Sequence, residues 1–317
     1  MDSVILMVCL LGIICALSTI FLNINLVFRI VLNKSKRNVD MQLFYYRFVL
    51  DIFFGTCCEF IFKDMNNEDL FSVLFYIVFI LLSIEAPMLM EEYRDLIVYL
   101  AIPWSNFAAC RSIIALSIST ERVIAAYFPI SYRNIKNSVP TWSILLVAIS
   151  FGLSEELVLF EFCSYNMVIP LSCRVFGCAV NKCFYNFWTI HKTVIFCMIV
   201  ILSVLLSVKI FIWNNLKHTK TNSQLSKANR LALLDTITVL IFDFLPSFCG
   251  SMWPTAKLFS FDYVGPYNAV GKVTGCAIEA IVVSTLLIFR KTRISENIST
   301  SIRRAIRVKN SKSSRLA

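Results

Sequence analysis

Eight apolar runs, each near the length that crosses a bilayer, restrict this chain more than any other feature. They cover residues 3–32, 43–62, 71–90, 96–128, 142–162, 186–213, 231–253 and 264–289. A helix rises 1.5 Å per residue, so about 20 apolar residues span the hydrocarbon core. Of the 317 residues, 58% are hydrophobic and 16% are charged. A soluble domain is usually about 45–50% apolar and about 25% charged. The excess must face lipid, and the reading is an all-α membrane protein. The first run is too long for the apolar part of a signal peptide and has no small-residue cleavage site, so it is read as a helix that stays.

Charge sets the orientation. Lys34, Lys36 and Arg37 follow the first run, and Arg133 and Lys136 follow Phe128. Lys217, Lys220, Lys227 and Arg230 follow Trp213, and the tail beyond Phe289 carries nine more basic residues. Basic linkers stay in the cytoplasm, which puts the N-terminus outside and the tail inside. The net charge of +10 then reports topology rather than nucleic-acid binding. If 43–62 and 71–90 both crossed, Arg122, Arg133 and Lys136 would fall outside. One net crossing over 43–90 restores the pattern. The expectation is therefore a seven-transmembrane helix bundle in which 63–70 (KDMNNEDL) interrupts the second helix region. One flanking segment spans and the other lies along the surface or folds back.

The chain divides into a seven-helix domain, 1–294, and a basic tail, 295–317. In the tail, Ile298, Ile302, Ala305 and Ile306 recur at helical spacing beside Arg303, Arg304 and Arg307, which suits an amphipathic helix on an anionic inner leaflet. The sequons at Asn33 and Asn297 fall on the inside and should carry no glycan.

Charges inside a span usually face the bundle interior. Arg47 and Asp51 are four residues apart and share a helix face. They either neutralise each other or join a network to other helices. Asp235 and Asp243, eight apart, also lie near one face, and Asp235 is within possible reach of Arg122. Lys272 and Glu279 are two turns apart, and Lys272 is expected to snorkel outwards. Trp104, Asn106, Trp188, His191, Trp253, Tyr267 and Asn268 lie near outer helix ends. They are the candidate ligand contacts, although such residues are often interface aromatics or caps. Cys163, Cys173, Cys178 and Cys183 cluster in one predicted outer loop, where disulfides persist. Four cysteines allow three pairings. His191 and His218 have no metal-ligand spacing. No metal site, cofactor site, phosphate loop or nucleophile constellation is legible, so no enzyme is expected.

The stretch ERVIAAYFPISY, 121–132, resembles the acid–arginine, proline, tyrosine signature that closes the third helix of rhodopsin-like receptors. Glu121 and Arg122 match the charged pair, Pro129 the proline opening the next loop, and Tyr132 the tyrosine after it. DMQLFYYRFVLDIFFG (40–55) and RSIIALSISTERVIAAYFPISYRN (111–134) are more closely similar to nematode serpentine chemoreceptors of the Srbc class. In that family the second helix runs unbroken, so 63–70 is a departure. The NPxxY and CWxP marks of the larger rhodopsin group are absent, and Phe244-Leu245-Pro246 stands near the latter's place. Cys110 lies too far down its helix for the usual outer disulfide.

The resemblance implies a receptor that binds a small environmental molecule and activates a heterotrimeric G protein. It also implies a plasma-membrane setting in a sensory-neuron cilium. On that reading Glu121 holds Arg122 at rest and releases it as the helices shift; the plainer reading is a pair snorkelling at the interface. The competing function is a multi-pass transporter or ligand-gated channel subunit with Asp51, Asp235 and Asp243 along an ion path. Paired Gly/Pro-broken helices, which transporters often show, are missing.

Overall fold

The computed structural model describes residues 3–32, 42–56, 77, 95–170, 173, 176–216, 223–252 and 266–285. No strand occurs among them. The longer helices are α1 (Ser3–Leu32), α2 (Gln42–Thr56), α3 (Leu96–Tyr127), α5 (Thr141–Leu157), α7 (Lys182–Leu216), α8 (Ser223–Val239) and α10 (Tyr267–Ser284). The shorter ones are α4 (Pro129–Ser138), α6 (Phe176–Ala179) and α9 (Leu245–Met252). π-helical turns, Val158–Phe162 and Leu240–Phe244, extend α5 and join α8 to α9.

The helices α1, α3, α5 with its π turn, and α7 are each long and apolar enough to cross a membrane. Their surroundings differ. In its most apolar window α3 is 78% buried, against 28% for α1 and α7. The central helix α3 packs against α2, α5, α7 and α8, while α1 packs against α2 and α10. The outer helices expose Met7, Ile14, Phe21, Val147 and Ile201. Apolar side chains on an outer face need a lipid solvent, and the chain is an all-α membrane protein.

Two buried clusters fill the two ends of the bundle. One joins Ile5, Ile97, Ala101, Trp104, Phe176, Phe184 and Val270. It gathers the starts of α1, α3, α7 and α10. The other joins Leu26, Phe44, Phe48, Ile118, Ala126, Leu206, Leu231 and Val283. It gathers the starts of α2 and α8 with the ends of α1, α3, α7 and α10. Successive long helices therefore alternate in direction along the chain.

The first end carries the disulfides Cys163–Cys183 and Cys173–Cys178, one of the three pairings open to the sequence. Asn181 caps α7 by accepting from the Phe184 N–H at 3.0 Å, and its own amide donates to the Cys163 carbonyl at 2.7 Å. The Tyr165 hydroxyl donates to the Ala179 carbonyl at 2.6 Å, and burial together with Asp95 raises its phenol above the usual value. This loop lays Phe176 edge-on to Trp188, with centroids 6.2 Å apart.

The 63–70 interruption, Trp253, the sequons and the 295–317 tail lie outside the described residues. Of 71–90 only Ile77 is described. It is helical and fully buried in the disulfide-end cluster.

Candidate functional site: a polar column through the bundle

Polar side chains occupy three levels along α3. Ser105 and Asn106 mark the first, Arg111 the second, and Glu121–Arg122 the third. At 1.5 Å per residue, Arg111 lies about 9 Å below Ser105 and roughly 17 Å above Arg122.

The first level lies beneath the disulfide loop. The Trp188 indole N–H donates to Ser105 Oγ at 2.7 Å, and that hydroxyl donates to Glu155 at 2.6 Å. His191 Nε2 meets the other Glu155 oxygen at 3.0 Å, while Nδ1 lies 2.9 Å from the Phe187 carbonyl. A carbonyl only accepts, so the hydrogen bond to Phe187 places a hydrogen on Nδ1. Asn106 donates to Glu156 at 2.5 Å. Lys272 pairs with Asp243 at 2.9 Å and sits 5.1 Å from the Trp104 ring centroid. Lys272 is only 2% exposed. The outward snorkelling expected of it is corrected: the Asp243 carboxylate and the Trp104 face hold the ammonium inside.

Local backbone chemistry aims Asp243 at Lys272. Pro246 has no N–H to donate to the Phe242 carbonyl, four residues earlier, and its ring crowds that oxygen. The helix opens there into the π turn Leu240–Phe244. The Phe242 carbonyl turns towards Gly271, where a Cβ would stand 3.0 Å from it. Glycine at 271 permits that approach, so the turn that carries Asp243 lies directly against α10.

The second level is a buried ion network. Arg47 of α2 binds Asp235 of α8 and reaches Glu279 of α10 at 2.8 Å. Arg111 of α3 pairs with Asp51 of α2 and with Glu279, both at 2.9 Å. All five residues are buried. Of the two arrangements open to Arg47 and Asp51, the structure has the network, with each paired to a residue on another helix. One correction follows. Asp235 pairs with Arg47 rather than Arg122, because α8 brings Asp235 to the network level, above the end of α3.

The third level is the charged pair at the end of α3. Arg122 is 1% exposed and lies 3.4 Å from Glu121. A side chain so enclosed does not snorkel, which corrects that alternative. Tyr132 donates to Glu121 at 2.5 Å, and Lys136 donates to Tyr132 at 2.6 Å. Burial first, and then the Glu121 carboxylate, push the Tyr132 phenol above its usual pKa, so it remains a donor. Pro129 opens α4, where its fixed φ suits a first helical position, and α4 carries Tyr132 back beneath Glu121. A cavity of about 320 Å³ opens beside Glu121, lined by Gln42, Ser117, Tyr132, Lys136 and Thr141 among others.

The structure thus gathers Trp104, Asn106, Trp188 and His191 at one level, with Tyr267 and Asn268 half-buried at the start of α10. Sequence reasoning missed Ser105, Arg111, Glu155 and Lys192. Arg111 left a signal: it stands eleven residues before Arg122, about three whole turns, so both project on nearly one face. Glu155 left less, since beside Glu156 it reads as a helix end at the interface. Among the described residues no group of three His, Cys, Asp or Glu is placed to hold a metal ion.

No curated protein matches this chain. The family model described as serpentine type 7TM GPCR chemoreceptor Srbc matches residues 1–291. That match spans the helices, the polar column and the Glu121–Arg122 end, and the chain belongs to the Srbc family of serpentine chemoreceptors.

Proposed function

We propose that the protein is a G-protein-coupled chemosensory receptor of the plasma membrane. The observation that carries this reading is the buried network of Arg47, Asp51, Arg111, Asp235 and Glu279, which ties α2, α3, α8 and α10 together. It stands between the aromatic cluster under the disulfide loop and Arg122, nearer the cluster. Asp243, on the π turn that continues α8, pairs with Lys272 of α10 one level higher. A small molecule that shifts the upper bridge changes the relation of α8 to α10, which the network feels next. This is a bistable element biased from one side, as a receptor requires.

In this reading seven helices cross the membrane with the N-terminus outside. The two disulfides support an extracellular position for their end. The charge distribution supports a cytoplasmic position for α4 and the 295–317 tail. At rest Glu121 holds Arg122, and Tyr132 and Lys136 hold Glu121. When the α8 end moves, Arg122 becomes the contact for the heterotrimeric G protein, which performs the nucleotide chemistry itself. The sensory-neuron cilium is the setting the family suggests. An ion path is disfavoured, because Asp51, Asp235 and Asp243 are each matched by an arginine or lysine.

The test is expression with a G-protein readout across a panel of small volatile and soluble compounds. Arg122→Ala should abolish the response at unchanged surface level. A ligand-driven current that persists under G-protein blockade would reject the receptor reading.

A further inference from the structure

Among the described residues, one cation in the upper cluster has no paired anion. Lys192 lies on α7, one turn after Trp188, with its ammonium 3.5 Å from the Trp188 ring centroid. That nitrogen is shut off from solvent and makes no hydrogen bond. The charged groups around it are Lys272, Glu155 and Asp243. Each of these is engaged elsewhere: Lys272 with Asp243, and Glu155 with Ser105 and His191. Glu156, beside them on α5, is held by Asn106. No carboxylate among the described residues comes within ion-pair reach of Lys192. The face of an indole attracts a cation, yet it offers no lone pair to three ammonium hydrogens. A buried ammonium left in this state is costly, and the cost is relieved either by loss of the proton or by an anion that joins it. Asp243 keeps 21% of its side chain accessible, so the cluster borders open space.

We infer that Lys192 is the anchor for a ligand's carboxylate, and that the ligand's apolar part lies against Trp188. The site takes a small organic acid in preference to the alcohol of the same skeleton. This rests on the receptor reading for its purpose but not for its chemistry. Trp188 supplies the mechanism of detection: an anion drawing Lys192 off the indole face changes the surroundings of the ring that donates to Ser105, and Ser105 holds Glu155. The neighbouring Lys272 adds a second positive charge, 6.0 Å from the same ring centroid.

Purified protein in nanodiscs of neutral lipid tests this through tryptophan fluorescence, with matched probes. The pairs are butyrate and butanol, hexanoate and hexanol, and phenylacetate and phenylethanol. At least one acid should bind tenfold or more tightly than its alcohol. Lys192→Met should bring that acid down to its alcohol's affinity, and Lys192→Arg should keep most of the preference. Alcohols binding as well as their acids would overturn the inference. So would a preference untouched in Lys192→Met, or no acid binding to wild-type protein that unfolds cooperatively. If Lys192→Met does not fold, the wild-type acid–alcohol comparison and Lys192→Arg still decide. Acid binding without nucleotide exchange on any G protein would remove the receptor reading and leave the anion site standing. Exchange driven by the alcohols alone would do the reverse.

Discussion

Arg47 shows how a membrane interior handles charge. Its guanidinium is fully enclosed and serves Asp235 and Glu279 together. Removing one partner of a buried pair costs about 3–5 kcal/mol, because the other charge stays buried alone. Arg47→Met should therefore lower thermal stability in detergent strongly. Adding Asp235→Asn should recover part of the loss, since the stranded carboxylate is then gone. A double variant no more stable than the single one would show that Asp235 does not depend on Arg47. The charges themselves were legible in the sequence, since a charge in an apolar run has to face inward. Their partners were not. Arg47 meets Glu279 across 232 positions of chain, and the pairing depends on the rotation of α2 and α10, which no local spacing encodes. Lys272 was misjudged for the same reason, since its partner Asp243 is aimed by a π turn that only the Pro246 geometry creates.

At the scale of elements, close approach decides the positions of α3 and α5. A Cβ on Gly152 would meet the Cys110 sulfur and stand 2.8 Å from the Asn106 carbonyl. The helices touch there through a residue with no side chain, as small residues permit in membranes. This contact sets Glu155 and Glu156 opposite Ser105 and Asn106. Gly152→Leu should push α5 away and lower folded yield in fluorescence-detected gel filtration. Leu153→Ala, one residue on but 53% exposed towards lipid, should stay within about 0.5 kcal/mol of the parent. Equal behaviour of the two would show that the contact does not position α5. Helix existence was legible from apolar length alone, and α3, α5, α7 and α10 fall within a few residues of their runs. The second region was harder to read. Its α2 lies in the cluster at the Glu121 end, while Ile77 lies in the disulfide-end cluster. A pattern of run lengths counts two spans there, while the charge pattern admits one net crossing.

For the whole molecule, charge and redox chemistry point to the same orientation by independent routes. Eighteen of the 30 lysines and arginines fall in the four linkers assigned to the cytoplasm, among them Arg133 and Lys136 on α4. The disulfides lie at the opposite end of the bundle from α4. Positive charge is retained on the cytoplasmic side, and disulfides persist on the other. Had 43–62 and 71–90 each crossed, both signals from every later helix would oppose the one from Lys34, Lys36 and Arg37. An epitope tag placed before Ser3 should bind antibody on intact cells, and a tag placed after Ala317 only after permeabilisation. Neither Asn33 nor Asn297 should acquire a glycan. Surface labelling of the tag after Ala317, or a glycan at Asn297, would invert the bundle. It would then place Glu121, Arg122 and Tyr132 where no G protein can reach them, and the coupling role of Arg122 would fall with the orientation.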